Sequence, residues 1–113
     1  MHEASLAMNI MDIVKDEMKK FPGEKLNKIF IDIGEFTHID PETLKFAFEV
    51  ISKGSDYDGA CLEIERIPLI LSCKICDEEF SVAEITFKCP SCKSTEVQIV
   101  KGREFRITQL EVD

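Results

Sequence analysis

The sequence predicts an α+β fold: a small sheet of about three strands with two helices, plus an inserted module built on two Cys-x-x-Cys knuckles. Three observations carry that prediction. Two stretches place apolar residues at helical spacing, and three others alternate apolar with polar residues. Four of the five cysteines fall as Cys73-Lys74-Ile75-Cys76 and Cys89-Pro90-Ser91-Cys92, ahead of the last strand.

The first helix covers about residues 4–20. Leu6, Ile10, Ile13, Val14 and Phe21 recur at helical spacing, with Asp12, Lys15, Asp16, Lys19 and Lys20 between them, and Phe21-Pro22-Gly23 ends the element. Residues 25–36 alternate at Ile29, Ile31 and Ile33 against Lys28 and Asp32, the pattern of a half-buried strand. Asp40-Pro41-Glu42-Thr43 then supplies a capping acid, a proline at the first helical position and an acidic first turn. Leu44, Ala47, Phe48 and Ile51 give this second helix one apolar face, and Gly54 stops it. His38, in the loop before the cap, reads as an exposed polar residue.

Residues 60–67 alternate again and form a second strand, with Cys61 as a small half-buried apolar side chain. Pro68 marks an exit from the sheet, and Leu69-Ile70-Leu71 leads into the first knuckle. Between the knuckles residues 77–88 are acidic; Phe80, Val82, Ile85 and Phe87 suffice for short strand pieces but not for a core. Residues 96–100 read as a strand, Lys101-Gly102 as a turn and residues 103–112 as the last strand. Its apolar phase slips between Ile107 and Leu110, which predicts a β-bulge near Thr108-Gln109. The domain division that follows is 1–66 with 103–113 as an α/β domain, and 67–102 as a zinc-ribbon-like insert whose arms lie near Pro68 and Gly102.

Composition narrows the function classes. A chain of 113 residues supports one compact domain or two small ones, and a domain this short gains from a metal staple. No apolar run approaches the length of a membrane span. With 14 basic against 22 acidic side chains the formal charge is −8, which repels phosphate backbones and argues against a nucleic-acid partner. The start of the chain lacks the basic, apolar and small-residue pattern of a secretory signal, so a reducing cytoplasm is the expected compartment.

Each Cys-x-x-Cys pair forms a tight turn that aims two sulfurs at one point, and two such turns make a tetrahedral thiolate cage of Cys73, Cys76, Cys89 and Cys92. Zinc suits that cage, being a d¹⁰ ion without geometric preference; a mononuclear iron of the rubredoxin type is the rival metal. Two disulfides or a redox pair explain the four cysteines less well in a reducing compartment and at this paired spacing. Four thiolates fill the coordination shell and leave no open position for water or substrate, so the site holds shape. With no nucleophile-base pair and no phosphate loop either, the sequence does not read as an enzyme.

The tip before the first helix offers different donors. A free α-amine, the amide nitrogen of residue 2 and the Nδ1 of His2 close adjacent chelate rings around one cation, and nitrogen donors in a planar array suit Ni(II) or Cu(II). Aminopeptidases that remove the initiator favour small second residues, so Met1 before His2 is expected to stay. A solvent-exposed histidine near a helix start explains His2 as well. Spacing alone leaves both readings open.

Met1-His2-Glu3-x-Ser5-Leu6-Ala7 opening a helix, Ile31-Asp32-Ile33-Gly34-Glu35 ending a strand, and the two knuckles in the C-terminal half resemble the HypA family of hydrogenase nickel incorporation proteins. The resemblance spans the chain in order and length. It implies a nickel metallochaperone for maturation of nickel-iron hydrogenase, with Ni(II) as cargo, structural Zn(II), and a HypB-type GTPase and the hydrogenase large subunit or its maturation complex as partners. Residue by residue it places nickel at Met1, His2 and Glu3, more weakly at Asp40, and zinc at Cys73, Cys76, Cys89 and Cys92. Residues 1–66 with 103–113 then become the nickel-binding domain. One departure is that neither knuckle has a histidine beside its cysteines, as some relatives do. The alternative from another class is a zinc-ribbon interaction module of transcription or translation machinery, which uses the same cysteines and leaves His2 idle.

Overall fold

The computed structural model describes residues 3–81 and 87–113. The elements run α1 (Glu3–Met18), β1 (Leu26–Gly34), a 3-10 turn at Glu35–Thr37, α2 (Pro41–Ser52), β2 (Cys61–Ile67), β3 (Ile70–Cys73), β4 (Glu79–Ser81), β5 (Val97–Lys101) and β6 (Phe105–Val112). The strands form two three-stranded sheets, ordered β2-β1-β6 and β4-β3-β5. The chain divides into a first unit of Met1–Asp32, Ile39–Glu65 and Arg106–Asp113, and a second of Ile33–His38 and Arg66–Phe105.

The first unit holds the larger core. Ala7, Ile10 and Val14 of α1, Leu44 and Phe48 of α2, and Ile29 and Ile31 of β1 are all within one per cent of full burial. The alternation in β1 therefore directs its isoleucines inward, as period-two patterning requires. On the other face Arg106 reaches the largely buried Asp32, with its Nη2 3.2 Å from Oδ2. β6 closes antiparallel to β1: Lys25 N–H donates to Asp113 O (3.3 Å) and Asp113 N–H donates to Lys25 O (2.9 Å). Its half-buried residues are Phe105 and Ile107, then Leu110 and Val112, with Thr108 and Gln109 both exposed, so the slip of phase read from the sequence is a slip of burial.

α1 departs from the expected stripe. Met11 and Met18 are buried, while Ile13 and Phe21 are 49% and 41% exposed and line an open groove with Leu110 and Val112. The inward arc is centred on Ala7, Ile10 and Val14, which moves the methionines in and Ile13 to the rim.

Among the described residues the second unit buries Ile33, Leu69, Leu71, Cys73 and Cys89. β3 is its centre, antiparallel to both neighbours: Leu71 lies opposite Phe80 of β4 and Ile99 of β5, with an irregularity between Ile70 and Leu71. Ile33–His38 belongs to this unit by its hydrogen bonds, since Gly34 N–H donates to Glu104 O and Phe36 N–H to Gly102 O, both at 2.8 Å. The chains approach so closely there that a Cβ on Gly34 would lie 2.1 Å from the carbonyl of Gly102.

Gly34→Ala therefore forces two backbones apart. The expected loss is roughly 2 kcal/mol or more of stability, seen as a lower denaturant midpoint, whereas Gly23→Ala meets no atom within 4 Å and acts only through its φ of +83°.

Candidate metal centres

The two knuckles are local repeats of one backbone motif. In the first, Cys73 N–H donates to Glu78 O and Asp77 N–H donates to Cys73 O, both at 2.9 Å; in the second, Cys89 N–H donates to Ser94 O at 2.9 Å and Lys93 N–H to Cys89 O at 3.0 Å. Asp77 and Lys93, each just after the second cysteine of its pair, take left-handed conformations at φ 61° and 64°. That turn brings the chain back beside the first cysteine and aims both sulfurs the same way. The first cysteine of each pair is buried and the second exposed.

All four sulfurs lie within 4.8 Å of one another, with Cys73 and Cys92 at 3.5 Å and Cys76 and Cys89 at 3.6 Å. Zinc with thiolates at about 2.3 Å needs sulfur-sulfur edges of about 3.8 Å, so the donor set fits a tetrahedral ion. This is the one group of three or more potential ligands among the described residues. Ser91 Oγ also donates to Glu78 Oε2, joining the knuckles through a pair that the sequence reading did not single out.

The thiols do not ionise alike. The main-chain N–H of Cys76 lowers the Cys73 thiol to about 7, helped by the N–H of Ile75 and opposed by burial. At Cys76 the Glu78 N–H favours the thiolate, but burial and the sulfurs of Cys89, Cys73 and Cys92 outweigh it and push the thiol up to about 12. Cys92 is raised as well: the Ser94 N–H opposes the shift, and the Cys73 sulfur, burial and the Cys89 sulfur prevail. Cys73 ionises most readily of the three, and a cation at the centre of the cluster would favour the other thiolates.

The other expected site falls partly outside the described residues, which do not include Met1 and His2. Glu3 is the first described residue of α1 and is half-buried. Its Oε2 accepts from the main-chain N–H of Asp40 at 3.3 Å. Asp40 caps α2: Oδ1 accepts from Glu42 N–H at 3.1 Å and Oδ2 from the Thr43 hydroxyl at 2.8 Å. The sequence shows Thr43 within the capping stretch but assigns it no role; its place three residues after a capping acid is the available signal. His38 is exposed and left-handed at φ 59°, its ring 5.9 Å from that of Phe36.

Residues 1–112 match the family model described as "Hydrogenase/urease nickel incorporation, metallochaperone, hypA". The chain is 42% identical over 118 residues to the hydrogenase maturation factor HypA of Lawsonia intracellularis (strain PHE/MN1-00), covering all of both chains. It is 38% identical to the factor of the same name from Ignicoccus hospitalis, covering 98% of this chain and 96% of that one. Among solved structures it is similar to the Ni metallochaperone HypA from Helicobacter pylori, with TM-score 0.67, 29% identity, and 98% and 97% of the two chains covered. A second solution structure, described as HypA protein, superposes with TM-score 0.72 at 29% identity over 97% and 94%.

Cys89→Ser should release the metal from the four-sulfur site and leave residues 67–102 without amide-exchange protection while α1 and α2 keep theirs. Metal ligation in small zinc modules is worth on the order of 10 kcal/mol. Equal protection of this segment with and without metal would refute the structural role.

Proposed function

The chain belongs to the HypA family, and we propose that it carries Ni(II) at its N-terminus and delivers it for maturation of nickel-iron hydrogenase, with zinc holding the second unit in shape. Family membership makes it a maturation metallochaperone and not an enzyme. The observation that carries the finer reading is the difference in donors: a closed set of four thiolates in the second unit, and Met1-His2-Glu3 at the start of α1.

The four sulfurs would take zinc and leave no position for exchange, which suits a resident metal and not a cargo. At the N-terminus the amine of Met1, the amide nitrogen and imidazole of His2, and Glu3 make the nickel set, with Asp40 as the fourth residue of the constellation. Nitrogen donors favour Ni(II) there, and every ligand can be protonated, so the cargo can be released. In this reading residues 1–66 with 103–113 form the nickel-binding domain and 67–102 the zinc-binding domain. Delivery runs through a HypB-type GTPase to the hydrogenase large subunit or its maturation complex in the cytoplasm. No helix among the described residues is long and apolar enough to cross a membrane.

Calorimetric titration of untagged, zinc-loaded protein with nickel tests this. One equivalent should bind, and His2→Ala or a single added N-terminal glycine should abolish binding, because the extension turns the amine into an amide and moves the histidine out of chelate register. The amine and imidazole have reference pKa values of about 7.7–8 and about 6.5, and protons compete for both. Affinity should therefore fall as pH drops from about 8 to about 6 while zinc stays bound. Wild-type affinity in both altered proteins would defeat the reading.

A pull-down with residues 67–102 replaced by a short turn checks the docking side of the proposal. The GTPase should still be retained, because release of nickel requires contact near His2; complete loss of binding contradicts this.

A further inference from the structure

The two knuckles repeat one turn, and Glu78 and Ser94 hold the same place in it. Glu78 O accepts from Cys73 N–H and Ser94 O from Cys89 N–H, both at 2.9 Å, while the N–H of each donates to the second sulfur of its own pair, Cys76 or Cys92. Their side chains differ in use. The Ser94 hydroxyl stays in its own turn and accepts from Glu96 N–H at 3.0 Å. The Glu78 carboxylate crosses to the other turn, where Oε2 accepts from the hydroxyl of Ser91, inside the second knuckle. A second bond crosses in the opposite sense, since Lys74, inside the first knuckle, donates its N–H to Glu96 O at 2.8 Å. A residue within each turn is thus bonded to the exit of the other.

Electrostatics alone does not favour a carboxylate here. Four thiolates around one divalent cation carry a net charge of about −2, and a further anion beside them opposes metal binding. Glu78 and Ser91 are both exposed, so burial does not explain them either. What the pair supplies is connection. A metal held by two pairs of sulfurs on separate turns leaves by losing one pair first, and how often that pair rebinds depends on how near its turn remains. We propose that Glu78 and Ser91 are positioning residues for the four-sulfur site: their hydrogen bond latches the second knuckle to the first and slows the release of zinc. The inference rests on the structural zinc reading and adds to it two residues, outside the ligands, that govern how long the metal stays.

Acceptor and charge are separable at Glu78. Gln keeps an acceptor oxygen and loses the charge, while Ala loses both; at Ser91, Thr keeps the hydroxyl and Ala loses it.

The test is the rate of zinc transfer from the untagged, zinc-loaded full chain to an excess of a chromophoric chelator. It is timed for wild type, Ser91→Ala, Ser91→Thr, Glu78→Ala, Glu78→Gln, the double variant of Ser91→Ala with Glu78→Ala, and Cys89→Ser. Amide exchange at Cys73 and Cys89, whose N–H groups close the two turns, is read on each loaded protein. Ser91→Ala and Glu78→Ala should each release zinc about fivefold faster, the size of one exposed charge-assisted hydrogen bond. The double variant should release it no faster than either single one, because the two residues share one bond. Ser91→Thr and Glu78→Gln should stay within about twofold of wild type, with both amides protected in all the latch variants. Wild-type release in Ser91→Ala, additive effects in the double variant, or release from Glu78→Gln as fast as from Glu78→Ala overturns the latch. Loss of amide protection in the loaded alanine variants overturns it too, since the pair would then hold the turns themselves. Zinc retained by Cys89→Ser as in wild type is a different failure, which removes the four-sulfur site and the latch with it.

Discussion

Four cysteine sulfurs lie within 4.8 Å of one another in the second unit, and as thiolates they would repel. Two backbone turns, each closed by the same pair of hydrogen bonds and each released by a left-handed residue, bring the sulfurs together. Cys73 ionises easily among its N–H donors, and Cys76 and Cys92 do not. A divalent cation held by the four sulfurs, as we propose, would offset that repulsion. Among the described residues the apolar side chains buried in this unit are Ile33, Leu69 and Leu71 beside the two inner cysteines, so a metal would add much to its stability. β3 carries Leu71 and Cys73 together, so the sheet and the metal site are ordered by one strand.

Saturation of that site has a functional consequence. A metal held by four thiolates is slow to leave and open to no substrate, so a carrier needs a second site with other donors. In the proposed reading the first unit supports one, its core being built on the apolar side chains of Ile10, Val14, Ile29, Ile31, Leu44 and Phe48. Under the proposed N-terminal nickel site, filling or emptying it would leave that core in place. Nitrogen ligands that protonate near neutral pH add a means of release which thiolates in a closed cage lack.

Much of this was legible in the sequence, and the exceptions have physical causes. Ile29, Ile31 and Ile33 marked β1 because period two has no rival reading, and Asp40-Pro41 marked the start of α2 because both residues act locally. The Cys-x-x-Cys pairs named their own geometry. β3 escaped notice because Leu69-Ile70-Leu71 is too short to show a period, and its partners, β4 and β5, both follow it in the chain and flank it only in the sheet. The stripe of α1 was rotated: Met11 and Met18 are as apolar as Ile13 and Phe21, and only tertiary packing chooses between them. The bond from Asp40 to Glu3 joins residues 37 apart, and no spacing rule reaches that far.

X-ray absorption at the zinc and nickel edges of one sample loaded with both metals is the most direct test of the division between resident and cargo metal. The account predicts four sulfur neighbours at about 2.3 Å around zinc, and around nickel only nitrogen and oxygen. Sulfur in the nickel shell, or nitrogen and oxygen in place of sulfur around zinc, would contradict it.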